Sequence, residues 1–312
     1  MAKYLVTGGC GFIGSHLCEA LLRGGHSVVV LDNLSTGKRE NLMDGIDLQV
    51  GDVADYQDVE KAMAGVDGCF HLAAIASVEK SIEDWPQTHK VNLSGTINIF
   101  DVARIRKVPV VYASSAAVYG DNANVPLSET DRTRPLSAYG ADKLGCEYHA
   151  KVAGLIHGVP TTGLRFFNVF GPRQDPKSPY SGVISIFIDR LLAGKTLKIF
   201  GDGQQVRDFV YVGDVVRFLV AAMERTTTEA DVFNVCTGQT TSINQLAKAI
   251  ATIAGFTPSI DRYPARGGDI QMSLGNPEKA RKKLKVGSIT NLSEGLKETV
   301  LSQLGPTSHA AE

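Results

Sequence analysis

The sequence has no metal or disulfide framework. Its five cysteines, Cys10, Cys18, Cys69, Cys146 and Cys236, are scattered and odd in number, and no C-x-x-C pair occurs. Neither a zinc site nor a disulfide scaffold is therefore expected, and a reduced, cytoplasmic setting is. An excess of one charge is missing too: 32 basic residues face 33 acidic ones, for a net charge of −1. Neither nucleic acid nor an anionic membrane is expected as a partner, so a phosphate-bearing ligand would have to be held locally. The longest apolar stretch, 215–223, is interrupted by Arg217 and falls short of the roughly 20 residues of a membrane span. The opening MAKYLVTGG has too short an apolar run for a signal peptide. What remains is a 312-residue chain, 43% hydrophobic and 21% charged, long enough for one large domain with a smaller companion.

The first half alternates two kinds of segment. KYLVTGG (3–9), SVVVLD (27–32), LQVGD (48–52), GCFHLAA (68–74) and PVVYASS (109–115) read as strands. Their near-continuous apolar character suits parallel strands covered on both faces. Helix-like segments occupy 14–23, 56–64, 86–106 and 139–157, and a further strand spans 161–169. This order predicts an α/β fold, a doubly wound parallel sheet of Rossmann type. After about residue 170 the rhythm changes. A Pro/Gly/Ser-rich loop (171–182), of a length that is usually functional, precedes a helix (183–193), a short strand from Leu197, the stretch 233–238, a helix (243–254), a loop (262–277) and a terminal helix. The expected division is a cofactor domain over 1–170, with later returns near 208–222 and 232–254, and a smaller C-terminal α/β substrate domain within 171–312.

TGGCGFIGSH (7–16) follows a strand and opens a helix, and Gly8, Gly11 and Gly14 form a G-x-x-G-x-x-G pattern. Such glycines allow a tight turn, bring backbone close to a pyrophosphate and offer it the N–H groups of a helix N-terminus. Asp32 ends the second strand 18 residues beyond Gly14, where a carboxylate takes ribose hydroxyls and repels a 2′-phosphate. NAD is favoured over NADP, although Lys38 and Arg39 leave the second open. Asp52 and Val53 end the third strand, where the adenine edge would lie. HLAA (71–74) ends the fourth, and His71 reads as a packed, structural histidine.

YGADK (139–143) stacks Tyr139 and Lys143 on one helix face. Alone, that spacing is ordinarily a solvated surface pair. Taken with TGGCGFIG, DNLSTGKRENL, VNLSGTINI, SSAAVYG, RFFNVFGPRQ, GDGQQVRDFVYVGDV and ARGGDIQMSLGN, the chain resembles the extended short-chain dehydrogenase/reductases across nearly its whole length, and within them the UDP-sugar 4-epimerases. The resemblance implies an isomerase with tightly bound NAD, acting on a UDP-sugar, with Tyr139 as acid/base, Lys143 as its helper and Ser115 as third member, Ser114 being less central. It places Phe12, Ile13, Asn33, Gly37, Leu72, Ala73, Ala74, Ala76 and Asn92 on the cofactor with the residues above. It places Asn168, Phe200, Arg207, Arg266 and Asp269 on the substrate, with Ser77, Val183, Gln174 and Ser273 toward the sugar. The chemistry is coherent, because a phenol is a poor base at neutral pH unless nearby cations favour its anion. Guanidinium groups also suit a diphosphate.

Sugar-nucleotide dehydratases of this type carry an Asp-Glu pair beside the catalytic hydroxyl. Here Ser115 is followed by Ala116 and Ala117, which disfavours dehydration. A serine at 273 is expected to leave room for a 2-acetamido group, so UDP-GlcNAc and UDP-GalNAc join UDP-Glc and UDP-Gal as expected substrates. An epimerase restricted to UDP-glucuronate or a UDP-pentose, and a non-catalytic NAD-binding regulatory protein, stay open as alternatives. A homodimer through 86–106 and 139–157 is also implied by the resemblance.

Overall fold

The computed structural model describes residues 1–178, 180–265 and 270–304. Seven parallel strands form the main sheet: β1 (Lys3–Thr7), β2 (Ser27–Asp32), β3 (Asp47–Val50), β4 (Gly68–His71), β5 (Val110–Ser115), β6 (Thr161–Phe166) and β7 (Asp231–Val235). Their spatial order is β7-β6-β5-β4-β1-β2-β3. Alternation within each strand sends successive side chains to opposite faces. On one face Val6, Val28, Val30, Phe70 and Val111 meet Leu17 and Leu21 of α1 (Phe12–Arg23) and Val215, Phe218 and Leu219 of a helix over Val212–Met223. On the other, Leu5, Val29, Leu31, Val110 and Tyr112 meet Val59, Ile99, Phe100, Val102 and Ala150. These come from α2 (Tyr56–Ala62), α3 (Gly95–Arg106) and α4 (Ala138–His157). Each fully buried large apolar side chain contributes about 1.5–3 kcal/mol, so the double covering fixes the register as well as the fold.

Strand order reverses between β1 and β4, and open parallel sheets bind ligands in the crevice at such a point. The expected strands overrun their observed ends by two to three residues there, at 8–9 and 72–74. Of those residues, Gly8, Leu72, Ala73 and Ala74 leave the sheet to form the crevice walls. The expected helix over 86–106 is a composite: an α-helical turn Trp85–His89, a wider π turn Lys90–Ser94, then α3. The expected strand over 161–169 breaks at Phe167, after which Asn168–Phe170 pairs with Phe209–Tyr211 instead. The expected loop 262–277 holds two strand pieces, the end of Ile260–Tyr263 beside Leu197–Phe200 and Met272–Ser273 beside Val206–Arg207.

A second apolar cluster gathers Ile184, Phe187, Ile188 and Leu191 with Leu246, Ile250, Leu296 and Val300. It is drawn from helices Val183–Leu192, Ile243–Ala254 and Leu292–Leu304. The middle helix is set by a capping box, in which Gln245 N donates to Ser242 Oγ at 3.1 Å and Ser242 N to Gln245 Oε1 at 2.9 Å. No helix among the described residues is long and apolar enough to cross a membrane.

Helix α4 lies unusually close to its surroundings. A Cβ on Gly154 would sit 2.1 Å from Thr228 O, backbone that has no rotamer to escape into. Gly154→Ala is expected to cost about 1–3 kcal/mol through overpacking, read as a lower urea midpoint; an unchanged midpoint would mean that α4 is not seated this tightly.

Candidate active site

A cleft of about 630 Å³ opens at the carboxyl ends of the strands. Every residue expected to hold the cofactor lines it except Asn92. Its floor is the turn after β1. Gly8 has φ +70, and a Cβ there would meet Ala73 N at 2.8 Å, so a side chain would push the β1 and β4 ends apart. A Cβ on Gly14 would lie 2.2 Å from Gly8 O. The N-terminus of α1, behind Gly11, carries no side-chain cap, which leaves its N–H groups for an anion. At the end of β2, Asp32 is buried, and burial raises its carboxyl pKa against the N–H groups donated by Leu34 and Cys10. Gly37 is needed beside it, since a Cβ would stand 3.0 Å from the carboxylate oxygens. Glycine cradle, open helix terminus and buried carboxylate together fit the pyrophosphate and adenosine ribose of NAD. Lys38, which kept a 2′-phosphate open, pairs with Asp175 at 2.7 Å.

At the other end of the cleft Ser115, Tyr139 and Lys143 come together. Helix α4 starts at Ser137, whose Oγ accepts from Gly140 N at 3.1 Å. A Cβ on Gly140 would be 2.8 Å from Ala117 O, so glycine lets the first turn of α4 approach the segment that follows Ser115. Lys143 is 3% exposed; its Nζ donates to Ala113 O at 2.9 Å and lies 6.0 Å from the Tyr139 ring centroid. Ser115 Oγ accepts from Ala117 N at 3.1 Å, which leaves its hydroxyl hydrogen for a ligand.

Three neighbours are structural. His71, between Thr7 Oγ1 at 2.8 Å and Thr96 Oγ1 at 3.0 Å, has its pKa pushed down to about 3, first by burial and then by the Lys143 charge. Neutral at physiological pH, it fixes Thr7, whose Oγ1 accepts from Leu72 N and Ala73 N. Asn92, expected at the nicotinamide end, is fully buried and does not line the cleft. Its carboxamide instead accepts from Ile75 N at 2.8 Å and donates to Ile75 O at 3.1 Å, bracing the loop that does. Ser77 is likewise turned inward, its Oγ capping the helix Val78–Glu83 through Lys80 N.

Of the expected substrate residues, Ser115, Asn168 and Gln174 line the cleft, Gln174 donating its Nε2 to Val169 O at 3.3 Å. Val183 begins the helix that follows the cleft-lining Gly182. Phe200 packs its ring 5.5 Å from Tyr263. Arg207 Nη1 donates to Val206 O and to Ile270 O at 2.6 Å, and Ser273 pairs in register with Arg207. These four form no part of the cleft lining. Arg266 and Asp269 lie outside the described residues. Asp208, beside Arg207, accepts from Thr237 N, Thr237 Oγ1 and Gly238 N at 2.7–2.9 Å, and its pKa is nonetheless raised by burial.

Sequence reasoning missed how the 171–182 loop is fastened. His16 Nε2 bonds Pro172 O at 3.0 Å, Arg173 reaches Ser15 Oγ at 3.3 Å and Glu19 at 2.5 Å, and Asp175 takes Lys38. Loop length marked the segment as functional, but its partners lie more than a hundred residues upstream, where no local pattern reveals them.

The comparisons agree with this geometry. Residues 4–236 match the model of the NAD dependent epimerase/dehydratase family. The UDP-glucose 4-epimerase of Mycolicibacterium smegmatis is 39% identical over 307 residues, 96% of this chain and 97% of that one. The UDP-N-acetyl-alpha-D-glucosaminuronate decarboxylase of Bacillus cytotoxicus is 32% identical over 316 residues, 96% of each. Among solved structures, the UDP-N-acetylglucosamine 4-epimerase of Methanobrevibacter ruminantium, in complex with UDP-N-acetylmuramic acid, superposes with a TM-score of 0.93 at 36% identity, covering 97% of this chain and 98% of that one. The matched span covers the glycine turn, the acidic end of β2 and Ser115, Tyr139 and Lys143, and the chain belongs to the NAD dependent epimerase/dehydratase family.

Proposed function

We propose that the protein is a UDP-sugar 4-epimerase that inverts C4 reversibly through a 4-keto sugar, on UDP-GlcNAc and UDP-GalNAc as well as UDP-Glc and UDP-Gal. The observation that carries this reading is the meeting of Ser115, Tyr139 and Lys143 at one end of a cleft whose other end fits NAD. Bound NAD would take the C4 hydride and give it back to the opposite face of the ring. Tyr139 takes the C4 hydroxyl proton and later returns it. Lys143, held by Ala113 O with its Nζ 6.0 Å from the Tyr139 ring centroid, would place positive charge beside the phenol as its proton leaves. Ser115 donates to the reacting oxygen and steers the proton. Alanines at 116 and 117 leave no carboxylate beside Ser115 to drive elimination.

The sheet, with the helix Val212–Met223, would hold NAD, and most of 171–312 would hold the UDP-sugar. Helix Ile243–Ala254 packs with the second cluster, which supports counting it with the substrate half. Asn168 on the cleft wall supports a uridine contact, and Arg207, Arg266, Asp269 and Phe200 remain the proposed UDP ligands from sequence. Exposed apolar side chains on the outer face of α4 (Tyr148, Val152, Leu155 and Ile156) and on α3 (Ile97 and Ile105) support a homodimer through these helices. A cytoplasmic setting accords with five unpaired, buried cysteines.

Three outcomes test the reading. NMR of the purified protein with UDP-Glc, UDP-GlcNAc, UDP-GlcA and UDP-xylose, without added NAD, should show 4-epimers of the first two. Tyr139→Phe should lower that rate by about 10²–10⁴-fold, the usual worth of a positioned acid/base, while NAD stays bound; a near-normal rate would return Tyr139 to the surface. Ser273→Tyr should suppress UDP-GlcNAc turnover and spare UDP-Glc, and equal survival of both activities would remove Ser273 from the sugar pocket.

NAD retention supplies a fourth. The Lys38–Asp175 bridge is half exposed on the lysine side and so worth up to about 1 kcal/mol. Asp175→Ala should therefore speed NAD loss on gel filtration by about two- to fivefold. Lys38 first, then the Lys177 N–H, holds the Asp175 carboxyl below its ordinary range. Its contribution is present above the ordinary carboxyl pKa of about 4 and fades as pH falls through the depressed value. Retention that is unchanged in the variant would show the bridge to be incidental.

A further inference from the structure

Eight residues of α4 are buried: Gly140, Asp142, Lys143, Cys146, Glu147, Ala150, Ala153 and Gly154. None is a large apolar side chain. Small side chains permit the close approach seen at Gly140 and Gly154, but they give shallow ridges, and ridges in grooves are what normally stop a helix sliding or turning on its neighbour. Apart from the partly buried Leu144, which packs against the cluster of Val118, Tyr119 and Phe167, the axial placement of α4 therefore falls to its charged groups.

Glu147 provides it. It lies one turn beyond Lys143 and two beyond Tyr139 on the same face. Ser114 Oγ, at the end of β5, donates to Glu147 Oε1 at 2.6 Å. Arg165, on β6, grips the carboxylate at both oxygens, Nε to Oε1 at 2.8 Å and Nη2 to Oε2 at 2.7 Å. The guanidinium is fixed in turn by Tyr119 OH at 2.8 Å, and that hydroxyl donates to Asn234 Oδ1 on β7 at 2.7 Å. All five residues are 4% exposed or less. A bidentate guanidinium–carboxylate pair specifies angle as well as distance.

We propose that Ser114, Glu147 and Arg165 are positioning residues for the acid/base chemistry. By tying α4 to β5 and β6, they set where Tyr139 and Lys143 stand relative to Ser115. The inference rests on the epimerase reading above. It also accounts for a buried ion pair that stability alone does not explain, since such pairs are often replaced by packed apolar residues at no cost in stability. Ser114 thereby gains a role distinct from that of its neighbour: both line the cleft, but the Ser114 hydroxyl is spent on Glu147, while Ser115 keeps its hydroxyl hydrogen for a ligand.

The test separates position from stability. Ser114→Ala and the matched double variant Glu147→Leu/Arg165→Met are compared with wild type for kcat and KM with UDP-glucose, NAD content and cooperative unfolding. A misplacement of about 1 Å costs up to ~10²-fold in rate, so the double variant should lose about that factor in kcat and Ser114→Ala about 5- to 10-fold. KM and NAD content should stay within about twofold, the pattern of an interaction felt only in the transition state. If the double variant does not fold, Ser114→Ala decides alone. Unchanged kcat, or kcat and NAD content falling together, overturns the proposal. Wild type that interconverts no UDP-sugar would sink the epimerase reading, whereas active wild type with unimpaired variants would sink the positioning role alone.

Discussion

Backbone contact between the ends of β1 and β4 is the constraint from which the site follows. At Gly8 the chain turns with φ +70 so close to Ala73 that a single added carbon would sit inside the other backbone. Because the strand order reverses between these two strands, the chain leaves β1 and β4 on opposite sides and a crevice must open above them. The contact makes that crevice narrow at its base. It also turns the N-terminus of α1 toward the cleft and carries the 72–76 loop along the opposite wall. Thr7, His71, Thr96 and Asn92 then hold the loop without touching the cavity themselves.

Charge inside the molecule follows a consistent pattern. Burying an ion is costly unless hydrogen bonds and counter-charges take over from water, and the buried charges here differ in how completely that has happened. Glu147 and Arg165 satisfy one another and are further held by Ser114 and Tyr119. Asp208 is surrounded by the N–H groups of Thr237 and Gly238. By contrast Asp32, which accepts from two backbone N–H groups, and Lys143, bonded to one carbonyl, face the cleft. Glu147, Arg165 and Asp208 belong to the frame, whereas the two that border the cavity keep valences that a ligand can meet; Asp142, whose Oδ2 is buried away from the cleft without a hydrogen-bond partner among the described residues, departs from this division.

Much of this was legible in the sequence because its causes are local. Gly8, Gly11 and Gly14 announce a turn whatever the fold, two-sided strands announce themselves by unbroken apolar runs, and Tyr139 and Lys143 share a face through helical spacing alone. What escaped depends on distant partners. Asn92 belonged to a recognisable motif, yet its amide is spent on Ile75; a π turn, invisible to a 3.6-residue period, carries it there. Phe167 looks like strand interior and is the point where the chain changes sheets, since only the strands at 209–211 and 231–235 decide its neighbours. Arg173 and Asp175 showed as polar loop residues, and nothing near them in sequence indicates α1 or Lys38. Phe200, Arg207 and Ser273 are not in the cleft lining, and the pairing of Ser273 with Arg207 joins segments that no local pattern links.

Helix α4 carries its small and charged residues on the inner face, while Leu155 and Ile156 stand outside at 83% and 66% exposure. At a rise of 1.5 Å per residue, Leu155 stands about 24 Å along α4 from Tyr139, so a load on the outer face would reach the phenol through the length of the helix. Were that outer face a subunit contact, assembly and the proposed proton transfer would share one helix, and a change at the contact would reach the phenol along it.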